Sequence, residues 1–182
     1  MKIAEFIDEK RTVTYSTILG VWAMVALYAV LHDQYIVRIA HEHFTEYHPQ
    51  IWGIEDPYRL AAALAFGASF GPGLLLGTAC LLAARAGSFP KQPIKSVFNG
   101  VVAVIAATEF FSASLGGWVY CTKQPLLPTW CYPDHSLPLL VTQTIQISCY
   151  LLGALLSGVL LVYIVSRRYR KALVGRHGGS LR

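Results

Sequence analysis

The chain has 182 residues, of which 54% are hydrophobic and 14% charged, and its mean hydropathy is +0.47. That balance excludes a disordered, collagen-like or ordinary water-soluble globular protein. Four apolar stretches, each close to or above the roughly 20 residues that cross a bilayer, fill more than half of the length and leave no room for a separate soluble catalytic domain.

The head, MKIAEFIDEKR, mixes Lys2, Lys10 and Arg11 with Glu5, Asp8 and Glu9. The first apolar stretch, 12–31, carries no charge. Its long core and mixed head read as a membrane span and not as a cleaved signal peptide, which wants a basic head and small residues at a cleavage site. Three more spans follow at 59–84, 96–120 and 137–165. The expected fold is an all-α membrane protein, a single antiparallel bundle of four transmembrane helices over residues 1–182. The connections 33–58 and 121–136 would form a small extracytoplasmic cap.

Orientation follows from Lys and Arg in the short flanks, because positive charge resists translocation. The head holds three, the 85–95 connection holds Arg85, Lys91 and Lys95, and the tail holds Arg167, Arg168, Arg170, Lys171, Arg176 and Arg182. The other two loops hold only Arg38, Arg59 and Lys123. Both termini are therefore expected in the cytoplasm. The formal charge of +5 needs no nucleic acid: the RRYRK cluster can rest against anionic lipid head groups. The tail GRHGGSLR reads as disordered.

Cys121 and Cys131 fall in the second outer loop, CTKQPLLPTWC, where an oxidising compartment would favour a disulfide between them. Cys80 and Cys149 lie inside spans. On the second span Gly67, Gly71, Gly73 and Gly77 give two G-x-x-x-G spacings interrupted by Pro72, so close packing is expected against span three (Gly116, Gly117) or four (Gly153, Ala154, Ser157, Gly158). Gly71, Pro72 and Gly73 form a candidate hinge, and the same stripe a candidate homodimer face.

Glu109 is the least expected residue, since VVAVIAA precedes it and FFSAS follows it in mid-span. An ionised carboxylate there costs at least about 2.5 to 3.5 kcal/mol, so it should be protonated, face the bundle interior or have a partner. Counting 1.5 Å per residue brings Gln146 to nearly the same depth, with Gln143 a turn above and Ser69 level with it. Glu109, Ser69, Gln143 and Gln146 are thus expected to form one intramembrane polar cluster, as interhelical glue or as the centre of a proton or ion relay. Ser112 and Ser114 have no histidine in reach by this depth count, no GxSxG elbow occurs, and phosphate-cradling motifs are missing, so an enzymatic role is not favoured.

The first outer loop places His41, Glu42, His43, Glu46 and His48 close together, and the second adds Asp134 and His135. Imidazole and carboxylate suit a metal ion, and His41, His43, His48 and His135 are candidate ligands. No HExxH pattern is present, and a polar cap without cofactor, in which these groups hydrogen-bond one another and water, is the favoured reading.

The stretch HDQYIVRIAHEHFTEYHP, followed by FGASFGPGLLLG, resembles that of uncharacterised bacterial four-span integral membrane proteins with a D-Q…HFT segment after the first helix. The resemblance implies the bacterial inner membrane and carries no activity. The expected role is that of a non-enzymatic membrane protein associating with itself or a membrane partner. A small-solute or ion conduit centred on Glu109 is the alternative, and a metal-dependent membrane enzyme the third.

Overall fold

The computed structural model describes residues 9–178, with side chains through Val174. Most of the charged head and the last residues of the tail lie outside the described part. The chain forms α1 (Arg11–Ile39), a short α2 (Glu42–Thr45), α3 (Pro57–Arg85), α4 (Ile94–Thr122), a 3-10 turn (Thr129–Cys131) and α5 (Leu137–Gly178), with no strand among the described residues. Four of these helices are long and apolar enough to cross a membrane. The protein is an all-α, multi-pass four-helix membrane protein.

Local chemistry sets several boundaries. The Asp56 carboxylate accepts a hydrogen bond from the Arg59 amide at 2.8 Å, and Pro57 occupies the first turn, where its missing N–H costs nothing. At the end of α4, Lys123 takes a left-handed conformation, φ 59°, and closes the helix. Helix α1 runs on to Ile39, well past the expected end at 31. Nothing between Leu31 and Ile39 breaks a helix, and Ile36 and Val37 are buried as the apolar face continues. Likewise α5 is helical through Gly178, so the first half of the tail expected to be disordered, 175–178, continues the last span.

Two apolar clusters show the helix directions. At one end Ile36 and Val37 of α1 meet Leu60 and Ala61 of α3, Val119 of α4, and Leu140 and Ile145 of α5. At the other, Val21 meets Cys80, Ala84, Val97, Leu160 and Ile164. The spans therefore alternate in direction. The first end also gathers Phe44 and Tyr132 from the connecting segments and is the cap end; the second is the terminal end.

The bundle is two close pairs, α1 with α3 and α4 with α5. A Cβ at Gly77 would sit 2.6 Å from the Ile18 carbonyl oxygen, and one at Gly73 would sit 2.8 Å from Trp22 Cδ1, so hydrogen is all that fits. Gly116 presses on Ile145 and Gly100 on Leu160 in the same way. The close approach of α3 is thus made to α1, and not to the third or fourth span as the spacing alone implied. Gly67, Gly71 and Gly117 have nothing within 4 Å. At the candidate hinge, Gly71 to Gly73, α3 is helical on both sides of Pro72.

The expected Cys121–Cys131 disulfide is absent: both thiols are free. Cys121 is exposed on the last turn of α4, whereas Cys131 packs against the cap cluster, so the two point to different surroundings. Tyr132 organises this loop instead. Its hydroxyl accepts from the amides of Leu126 (3.1 Å) and Leu127 (3.0 Å) and donates to Thr144 Oγ1 (3.0 Å), which donates to the Leu140 carbonyl.

At the terminal end one residue of the basic cluster turns inward. Arg168, 3% exposed, donates to the carbonyls of Ala83 (2.7 Å), Ala86 (2.6 Å), Phe89 (3.0 Å) and Pro90 (3.0 Å), satisfying the end of α3 and the following turn at once. Beside it Glu9 pairs with Arg85 and, at 3.3 Å, with Lys91. Removing the guanidinium strands several buried acceptors, so Arg168→Ala should lower stability by roughly 2 to 4 kcal/mol. Arg167→Ala, at an exposed position, should change it by less than about 0.5 kcal/mol. Denaturation midpoints in mild detergent measure both, and equal effects would contradict this account.

Candidate functional site

The extension of α1 carries His32 and Asp33 to a level where α4 presents Glu109. His32 Nδ1 lies 2.8 Å from Glu109 Oε2, and the Tyr28 hydroxyl donates to the same oxygen at 2.9 Å. A carboxylate only accepts, so His32 donates through Nδ1. In the neutral ring that geometry leaves Nε2 as an acceptor, and the atom is buried without a partner. Because Tyr28 gives its only proton to Glu109, the Cys149 thiol, 3.0 Å away, is the donor to the Tyr28 oxygen. A directed chain of hydrogen bonds thus runs from α5 through α1 to α4. The Tyr35 ring closes over His32 at 5.0 Å.

The cluster expected around Glu109 is therefore composed differently. Ser69 donates to the Phe66 carbonyl of its own helix at 2.6 Å, and the Gln146 amide donates to Tyr150 at 3.3 Å. Gln143, half-buried one turn closer to the cap, makes no hydrogen bond to Glu109. Cys149, almost a turn further along α5, takes the place expected of Gln146. Ser112 donates to the Glu109 carbonyl at 3.2 Å and Ser114 to the Phe110 carbonyl at 2.6 Å, while His32 on α1 bonds the Glu109 side chain.

Between the two helix pairs lies a cavity of about 650 Å³. It runs from His32, Asp33, Gln146 and Phe44 at the cap end to Leu76, Val101 and Leu161 toward the terminal end. Along α5 the lining extends from Gln146 to Leu161, about 22 Å at 1.5 Å per residue. Small residues create the space: Gly153, Ala154, Ser157 and Gly158 line it, and a Cβ at Gly158 would touch nothing within 4 Å. Ala68, Pro72 and Leu75 of α3 and Tyr150, Ala154 and Gly158 of α5 are lining residues that are also exposed, so the cavity opens sideways between these helices. Pro72 also leaves the Ala68 carbonyl, on this rim, without its helical donor.

The polar end is under-satisfied. His32 Nε2, Gln146 Oε1 and Thr108 Oγ1 are buried without partners, and all three residues lie on the cavity wall. Buried polar atoms are normally paired, so three in one wall mark a place for water or a ligand. Polar groups at one end of an apolar shaft, within the usual 300 to 1,000 Å³ of ligand sites, can hold an amphipathic molecule by head and tail.

The outer-loop histidines do not assemble as ligands: among the described residues no group of three or more His, Cys, Asp or Glu side chains converges as a metal ion requires. His41 is exposed beside Glu42, and His135 is exposed beside Asp134. His48 donates from Nδ1 to the His43 carbonyl at 2.8 Å, and their rings meet at 4.6 Å. His48 and Phe44 then close the cap end of the cavity.

His43 lies under this lid, 2% exposed. Burial first and His48 second hold its imidazole down from the ordinary 6.5 to about 4, against an upward pull from Gln146. The unfolded chain takes up a proton at His43 below about 6.5 and the folded chain only near 4, so stability falls as the pH drops through that window. His43→Phe, which fills the same space without titrating, should flatten the fall in thermal midpoint between pH 6.5 and 4; an unchanged profile would contradict the assignment. No protein family, curated protein or solved structure matches the chain, so the site is defined by its own geometry.

Proposed function

We propose that the protein binds a single-tailed lipophilic small molecule, drawn from the bilayer through the gap between α3 and α5, with its polar head beside His32 and Asp33. The supporting observation is the cavity itself: apolar along its shaft, unsatisfied at its polar end and open at membrane depth. In this reading Glu109 is a half-buried support that fixes the His32 ring and does not line the cavity. The Lys and Arg asymmetry supports cytoplasmic termini with the cap on the far side, and the resemblance to bacterial four-span proteins supports an inner-membrane location.

A binding site is favoured over a conduit because Val21, Cys80, Val97, Val101 and Leu160 pack together toward the terminal end and leave no polar file there. Association with a partner or a second copy is compatible with a bound ligand, and partner exchange is one way such binding would be read out.

Radiolabelled decyl amphiphiles, measured against protein in nanodiscs with empty nanodiscs as the blank, test the proposal. Binding should saturate near one molecule per chain. Ala154→Phe and Gly158→Phe, which fill the shaft without a clash at the polar end, should reduce affinity at least tenfold while the thermal midpoint holds. Unsaturable partitioning equal to the blank would reject the cavity as a site.

A further inference from the structure

We infer that the head group bound at the polar end is an ammonium, so that the ligand class is a single-tailed lipophilic amine. The inference rests on the preceding reading of the cavity and adds the chemistry of the head.

Charge comes first. No Lys or Arg lines the cavity, and its one formally charged lining residue apart from histidine is Asp33, with Glu109 standing behind Tyr28 and His32. A carboxylate or phosphate head would meet negative charge with nothing to neutralise it. Asp33 is 7% exposed, and among the described residues its carboxylate has no hydrogen-bond partner. A carboxylate withdrawn from water this far calls for a cation or for donors.

Donor and acceptor bookkeeping points the same way. The open acceptors at this end are the Asp33 oxygens, His32 Nε2 with its Nδ1 proton given to Glu109, and Gln146 Oε1, whose NH2 gives one of its two hydrogens to Tyr150; the Thr108 hydroxyl beside them can donate or accept. A primary ammonium carries three donors and no acceptor, which matches that set. A carbonyl or ether head offers acceptors only and would leave all three unmet. The rings of Tyr28, Phe44 and Tyr150 also line this end, and an aromatic wall favours a cation over an anion.

The test compares heads on one tail. In nanodiscs of zwitterionic lipid at pH 7, decylamine, 1-decanol, decanoate and decyltrimethylammonium compete with radiolabelled decylamine. Decylamine is expected to bind at least tenfold tighter than decanol, as one or more hydrogen bonds to a charged group would give. Decyltrimethylammonium, which has charge without donors, should fall between them, and decanoate should not compete. Asp33→Asn should bring decylamine down to the decanol affinity and leave decanol unchanged; Gln146→Leu should lower decylamine alone. If decanol and decanoate compete as well as decylamine, the ammonium assignment is overturned and the cavity stands. If none of the four binds above the blank, the cavity reading itself has failed. The wild-type ranking decides the matter even where a variant does not fold.

Discussion

A carboxylate in the middle of a membrane helix has to be answered by other protein groups, and the answer given to Glu109 shapes this molecule. His32 and Tyr28 donate to one of its oxygens from α1, and Cys149 extends the chain from α5. Those bonds tie one helix pair to the other across a gap that side chains do not fill. They also hold the His32 ring in one tautomer and one orientation. An acceptor aimed at the gap follows from the way this intramembrane carboxylate is satisfied.

The gap persists because packing is concentrated elsewhere. Within each pair, glycine allows backbones or large side chains to approach more closely than alanine would, as at Gly77 against Ile18. Between pairs, apolar clusters close the two ends, and Arg168 fastens the end of α5 to the turn after α3 through four carbonyls. The middle is spanned by hydrogen bonds and lined on α5 by residues too small to reach across. Inside a bilayer such a space meets lipid and not water, and its lateral opening makes it accessible to molecules dissolved there.

Much of the fold was legible because a bilayer-length apolar run has few alternatives, and the four spans stand where hydropathy puts them. The length of α1 was not legible from hydropathy, which ends at Leu31. The continued face through Ile36 and Val37 was the available signal. That shortened span placed His32 at the surface and hid the partner of Glu109, so depth counting turned to Gln146 and Ser69. The glycine spacing on α3 announced a close approach, but the partner expected, span three or four, was not the helix it meets, since spacing carries no record of which neighbour fits the groove. Arg168 was hidden among neighbours that face outward, since a basic cluster reads the same whether or not one member turns in. The cavity was least legible of all: Gly153, Ala154, Ser157 and Gly158 form the same pattern whether they press against a helix or leave a space. The loop cysteines shared a compartment by topology, and only the packing of Cys131 under the cap shows that they do not meet.

The central claim is that an amphipathic chain enters between α3 and α5 and lies along the bundle with its head at His32. A crystal structure determined with a decyl chain brominated at its tail end is the most direct measurement. The account predicts anomalous bromine density near Ala154 and Ser157, about 12 to 16 Å along α5 from Gln146, with head-group density within hydrogen-bond distance of His32 Nε2. Bromine density confined to the outer lipid-facing surface, with α3 and α5 closed against each other, would contradict it.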